Sequence, residues 1–350
     1  EMMATAVEQV VPSAMGDKVV LKDADLTLHV PIFDLAEDNE SLRMAVREAC
    51  KTIGFFLVKN HGVPEELLSR AFSEMRRFFS LPIERKMQVA ASTNANNRGY
   101  TRWAEETLDV EKSTQGDTKE GYYIGREVPP DSPETSLPLH GPNMWPADLP
   151  GWRETMEEYV SAVITLSVRI THLLAMALDL PEDWFDQYFT RPLTALRPLH
   201  YSAELSDPAK GKFAAGEHSD YGMLTVLATD GTPGLQIKPR GCDRWIDVPT
   251  IPGTYVINLG DMLQRWTNDV FMSTPHRVVN VTATERYSLP FFYEPNYDTK
   301  VECLPSCCSA TNPPKYEPCI SGQHLIGKYS ATHKDFANEK PHTMNGTGGQ

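Results

Sequence analysis

Positive charge is scarce in this sequence of 350 residues: 33 lysines and arginines stand against 47 acids, giving a net charge of −14. That balance excludes a chain whose affinity rests on a phosphate backbone or an anionic membrane surface, and no long basic run offers a local exception. Long apolar runs are missing as well. No stretch reaches the roughly 18 uninterrupted apolar residues of a membrane span. The richest, 159–180, is broken by Ser161, Ser167, Arg169, His172 and Asp179. Residues 1–22 carry scattered acids and lack the apolar centre of a signal peptide. These features predict a cytoplasmic monomer with neither nucleic-acid nor membrane partners.

Cysteine is sparse and oddly placed. Of Cys50, Cys242, Cys303, Cys307, Cys308 and Cys319, four fall within 303–319. Their spacing lacks the paired C-x2-C knuckles of structural zinc, so free thiols in a loop are expected. Internal repeats and low-complexity blocks are absent too, which excludes solenoids and fibrous folds.

What remains is enough to build a large core, since 41% of residues are apolar. Val30 to Leu35 reads as a short strand. Asp38 to Ser41 offers caps for a helix to about Thr52. Gly54 to Val58 reads as a buried strand, and Pro64 opens a helix to about Phe79. Residues 88–150 are rich in Asn, Gly, Pro and charge and read as a long irregular region with short elements, of a kind that is often functional. Trp152 to Leu178 has the strongest helical periodicity. From 195 onward short β-type runs alternate with turns: 195–201, 223–228, 235–238, 245–248, 255–259, 276–281 and 287–293. The expected fold is mainly β with a helical N-terminal part. Its organisation is a flexible N-terminus (1–25), an α/β region (26–150), and a long helix with a β core (151–340). A disordered tail (341–350) follows, and no linker separates independent domains.

Gly216-Glu217-His218-Ser219-Asp220-Tyr221 precedes one of the β runs. On an extended chain His218 and Asp220 share a face. With a distant His276, which opens another run, they could occupy one face of an octahedral metal and leave three positions open. That is the arrangement of non-haem Fe(II) oxygenases. A lone H-x-D recurs by chance, but ten positions after His276 comes Arg286-Tyr287-Ser288. Arg286 and Ser288 again share a face, and together they can grip a carboxylate.

These motifs resemble the 2-oxoglutarate- and Fe(II)-dependent dioxygenases of the isopenicillin-N-synthase-like group. The resemblance runs from about Val30 to Pro295. It includes Pro31-Ile32-Phe33-Asp34-Leu35, Gly54 to Val63, Arg98-Gly99-Tyr100, Gly116 to Tyr123, Asn258-Leu259-Gly260-Asp261 and Thr267-Asn268. It implies a double-stranded β-helix, a jelly-roll barrel with iron in its mouth. The family's metal triad maps onto His218, Asp220 and His276, and its 2-oxoglutarate clamp onto Arg286 and Ser288. Tyr201 matches the tyrosine of an N-x-Y motif, although Leu199 stands at the asparagine position. The implied reaction joins O2 and 2-oxoglutarate to yield succinate and CO2, with hydroxylation, desaturation or ring closure of a small-molecule metabolite. Ascorbate is the implied reductant in vitro. The segment Gly116 to Tyr123 is most similar to microbial, algal and fungal members, and oxidative cyclases of specialised metabolism are also relatives.

Arg98, Tyr100, Tyr123, Trp266 and Phe292 are candidate substrate-wall residues. His61 and His200 have no ligand spacing and are assigned to structure. Three other readings use the same residues. A cosubstrate-free iron oxidase would leave the R-x-S pair without a task. A zinc hydrolase would need a base beside the metal, and Glu217 alternates to the opposite face. A non-catalytic binding module would have no use for a complete triad and clamp.

Overall fold

The computed structural model describes residues 9–11, 19–21, 29–94 and 96–332. Within the expected flexible N-terminus, Gln9–Val11 and Val19–Leu21 pair antiparallel. The remainder of that segment and the expected tail at 341–350 lie outside the described residues.

Helix α1 (Asn39–Thr52) starts where Asp38 accepts the Ser41 amide at 2.9 Å. Such a cap is worth about 1 kcal/mol. The helix ends at Gly54, whose φ of +67° lets its amide reach back to the Ala49 carbonyl. No side chain could replace that glycine, because a Cβ would lie 2.3 Å from the Met272 carbonyl oxygen. Helix α2 (Glu65–Phe79) follows Pro64 as expected, and Ile83–Lys86 adds a short α3. Helix α4 (Trp152–Ala177) buries Met156, Tyr159, Val163, Leu166, Ile170 and Leu174. It has the length and hydropathy of a spanning helix, yet it packs against α1, α2 and the large sheet. The Tyr159 hydroxyl meets that of Tyr255 at 3.1 Å and pins the helix to the sheet.

The large sheet has nine strands. Eight run in the order Ile32–Asp34, Phe55–Lys59, Tyr255–Leu259, Leu224–Thr229, Arg286–Asn296, Pro192–Leu196, Lys119–Gly125 and Gly99–Thr101. The ninth, Leu199–Tyr201, bridges Arg286–Asn296 and Lys119–Gly125. A smaller sheet orders Ile246–Asp247, Leu235–Ile237, His276–Val278 and Ala215–His218. Together these sheets form the expected jelly roll. Strands from the N-terminal region and the β core interleave in one sheet, so neither region forms a separate layer.

Several elements depart from the sequence reading. The run at 195–201 is split at Pro198, which cannot donate to a ladder. The supposedly irregular stretch 88–150 contains a completely buried strand, Lys119–Gly125. Its Lys-Glu-Gly start hid it, because the charges are buried in ion pairs rather than exposed. Two helices also went unread: α5 (Asp261–Trp266) and α6 (Ser321–Thr332).

Candidate active site

His218 ends the Ala215–His218 strand and stands directly across from His276, the first residue of His276–Val278. Their ring centroids are 4.2 Å apart. Asp220 lies two residues past the strand end and faces the histidines. His218 Nε2 is 3.9 Å and His276 Nε2 3.7 Å from Asp220 Oδ1. One donor atom from each residue falls within 4.8 Å of the others, and among the described residues this is the one such cluster of potential ligands.

Each ligand atom is aimed by a neighbour. The Nδ1 atoms of His218 and His276 face the Gly216 and Thr274 carbonyls at 2.8 and 3.1 Å. Those contacts select the Nδ1–H tautomer and leave Nε2 with a lone pair, as metal-binding imidazoles require. Asp220 Oδ2 accepts from Thr225 Oγ1 at 2.5 Å and Asn258 Nδ2 at 2.6 Å, leaving Oδ1 toward the imidazoles. Burial and the adjacent His276 push the His218 pKa down to about 4, so this ring is neutral at physiological pH. Burial opposes the charge of Asp220, but the two imidazoles and the hydrogen bonds from Thr225 and Asn258 outweigh it and hold its pKa below the usual value. Two neutral-capable imidazoles and one carboxylate, with one side facing the cavity, are a donor set suited to Fe(II).

The same cavity is lined by Arg286, Ser288 and Tyr201. Arg286 Nε donates to the Thr232 carbonyl at 3.2 Å, and its guanidinium lies 4.9 Å from the Tyr201 ring. Its Nη1 is buried without a hydrogen-bond partner among the described residues. The Ser288 hydroxyl is 3.4 Å from that of Tyr201. A buried guanidinium N–H with no acceptor, beside two hydroxyls, fits a carboxylate that the protein itself does not provide.

Of the expected wall residues, Arg98, Tyr123 and Phe292 line this cavity. Tyr100 and Trp266 do not, and those two expectations are corrected. Tyr100 is buried in the core, with its hydroxyl donating to Glu120 at 2.6 Å and its ring near Phe78. Trp266 closes α5 and packs among Trp184, Phe185 and Tyr188. His200 stacks on Tyr287 and pairs with Glu120, while His61 packs edge-on against Tyr255. Glu217 forms an ion pair with Lys112 at 2.5 Å and is not part of the cavity wall, so it does not supply a hydrolase base there. All six cysteines are free thiols.

Sequence reasoning missed a charged part of the wall. Lys119, Arg197, Glu106 and Glu294 all line the cavity. Lys119 stands abreast of Tyr201, which in turn stands abreast of Arg286, so one row across three strands faces the same space. Lys119 pairs with Asp117 at 2.8 Å and Glu106 at 2.9 Å. Asp117 also accepts the Gly216 amide at 3.0 Å, anchoring the strand that presents His218. Burial raises the Glu294 pKa to about 8. The one available signal was the 2-residue spacing of Asp117 and Lys119.

Comparison with known proteins agrees with this geometry. Residues 30–148 match the N-terminal family described as non-haem dioxygenase in morphine synthesis, and residues 194–295 match the 2OG-Fe(II) oxygenase superfamily. The 2-oxoglutarate-Fe(II) type oxidoreductase hxnY of Emericella nidulans is 39% identical, covering 82% of this chain and 84% of its own. Azadirone synthase LFS of Melia azedarach is 38% identical, covering 84% and 90%. Among solved structures, a full-length Neurospora crassa protein in complex with alpha-KG superposes with a TM-score of 0.76 at 32% identity, covering 86% of this chain and 96% of that one. The chain belongs to the 2OG-Fe(II) oxygenase superfamily and is a 2-oxoglutarate-dependent non-haem iron dioxygenase that oxidises a small molecule.

Proposed function

We propose that His218, Asp220 and His276 hold the Fe(II), that Arg286, Ser288 and Tyr201 hold the far carboxylate of 2-oxoglutarate, and that the rest of the cavity orients a metabolite for hydroxylation, desaturation or ring closure. The observation that carries this reading is the convergence of three aimed ligand atoms with the unpartnered Nη1 of Arg286 in one cavity. Bound Fe(II) and 2-oxoglutarate supply oxygen activation and oxidative decarboxylation. The chain's own residues set the geometry. The Gly216 and Thr274 carbonyls hold both imidazoles in the ligating tautomer. Thr225 and Asn258 fix the Asp220 carboxylate. Leu227, Leu235 and Val278 supply apolar wall that limits water around the site.

The test is anaerobic titration with Fe(II) and 2-oxoglutarate, followed in the visible charge-transfer region. A band that requires both components, and that His276→Ala abolishes, supports the assignment. Iron retained by His276→Ala would remove that residue from the triad. A protein that binds iron but never gives the band would favour a cosubstrate-free oxidase or a binding module. We also propose a cytoplasmic monomer without nucleic-acid or membrane partners, in keeping with the net charge of −14. Light scattering on the purified protein tests the monomer, and cell fractionation tests the location.

A further inference from the structure

The part of the cavity not claimed by triad and clamp is polar in an uneven way. Arg197 is 5% exposed. Its Nη2 reaches Glu106 at 3.2 Å and Thr101 Oγ1 at 3.5 Å, and its guanidinium carbon lies 3.7 Å from the centre of the Tyr123 ring. Its Nη1 has no hydrogen-bond partner among the described residues. Such a buried donor is costly, the more so when charged, unless a ligand satisfies it. Arg98, also 5% exposed, is held by main chain alone: Nη1 donates to the Asn96 carbonyl at 3.1 Å and Nη2 to that of Leu139 at 2.7 Å, while Nε has no partner among the described residues.

The direct ion pairs of the wall favour an anion over a neutral carbonyl. Lys119 and Arg197 are matched by Glu106 and Asp117. Arg98 forms no ion pair with a carboxylate of the described residues. Glu127 acts on it through charge without a direct ion pair, its carboxylate being hydrogen-bonded by Asn143 and Trp145. Fe(II), dianionic 2-oxoglutarate, Asp220 and Arg286 cancel among themselves. Arg98 and Arg197 thus bring two buried guanidiniums, each with an N–H lacking an acceptor among the described residues, to a wall that also includes Leu139, Leu193, Phe292 and Leu325.

We propose that the substrate is a small organic acid with an apolar body, its carboxylate received by Arg197 Nη1 and balanced by Arg98. This rests on the assignment of triad and clamp to iron and 2-oxoglutarate. Tyr123 backs the Arg197 plane, so the guanidinium presents its edge rather than its face. The substrate's carboxylate is the anchor and its apolar body is the part turned toward the metal.

The test is anaerobic calorimetric titration of the protein saturated with Fe(II) and 2-oxoglutarate, using acids and their amides of matched shape: benzoate and benzamide, phenylacetate and phenylacetamide, hexanoate and hexanamide. At least one acid should bind about tenfold or more tightly than its amide, the worth of one charge-assisted hydrogen bond. Arg197→Met should abolish that preference, and Arg98→Met should reduce it. The proposal is overturned if no acid binds, if each amide matches its acid, if Arg197→Met keeps the preference, or if added 2-oxoglutarate displaces the acid, which would place it in the clamp. The visible chelate band separates the two levels. An acid preference without the band means that the clamp assignment has failed while the anion site stands. A band without acid preference means that the anion site alone has failed.

Discussion

Replacing Arg286 by glutamine tests the clamp directly. The side chain is 3% exposed, and among the described residues it donates one hydrogen bond to Thr232 and lies over the face of Tyr201. Its Nη1 meets no acceptor among the described residues. The residue therefore contributes little to the fold relative to what a carboxylate would gain from it. A charge-assisted hydrogen bond contributes about 1.5–3 kcal/mol, and a guanidinium can make two to one carboxylate. The pair is not fully additive, so the loss is put at about 2–4 kcal/mol, or about 30- to 1000-fold in 2-oxoglutarate affinity. Arg286→Lys keeps the charge without the fork and should fall between wild type and glutamine. The assay is the 2-oxoglutarate dependence of the visible band and of succinate release, with iron content measured alongside. Iron content should not change, because no triad ligand is bonded to Arg286. A change below about threefold in 2-oxoglutarate affinity would refute the clamp. Loss of iron along with the cosubstrate would instead show that the substitution had disturbed the barrel.

Other expectations concern the architecture around the site. Glu294 has a folded-state pKa of about 8 against an ordinary 4.5, so between those values the folded chain holds a proton that the unfolded chain has released. Stability of the chelator-treated protein should therefore fall as pH rises through that window and level off above it, by at most roughly 3–5 kcal/mol from this group. Urea unfolding of wild type and Glu294→Gln at several pH values checks this, and parallel curves would rule it out. Gly222→Ala would set a Cβ 1.7 Å from Glu294 Oε1 and should destabilise by about 1–3 kcal/mol while shifting Glu294, seen as a lower melting temperature. Trp266→Ala should cost about 3–5 kcal/mol of stability and leave the relative rates of different substrates unchanged; an altered substrate order would return Trp266 to the cavity wall.

The triad and clamp were legible because their chemistry constrains residue type and spacing together. His218 and Asp220 must reach one metal, and Arg286 and Ser288 must face one carboxylate. Period two on a strand predicts the second pair correctly. The first pair also converges, with Asp220 two residues beyond the last paired residue of its strand. His276 was found from its place at the head of a β run, and the register opposite His218 is what makes that place matter. Helices α1, α2 and α4 were legible from caps and apolar periodicity. Helix α5 spans six residues, too few to show a period.

The substrate wall was poorly legible for a different reason. Tyr100 and Tyr123 sit on adjoining strands whose register sets Gly99 against Tyr123 and Tyr100 against Tyr122. Tyr123 faces the cavity and Tyr100 the core, and no property of a tyrosine distinguishes them before the strand order is known. Lys119, Glu106 and Asp117 misled in the opposite direction. Polar residues in a glycine-rich stretch read as loop, yet here they are largely buried and paired with one another and with Arg197. Burying such a cluster is costly compared with apolar packing, and local pattern and global fold disagree at this point. Disagreement of that kind is expected where a sheet gives up stability for a binding surface. The strand hardest to read, Lys119–Gly125, is accordingly the one that carries Lys119 and Tyr123 into the cavity.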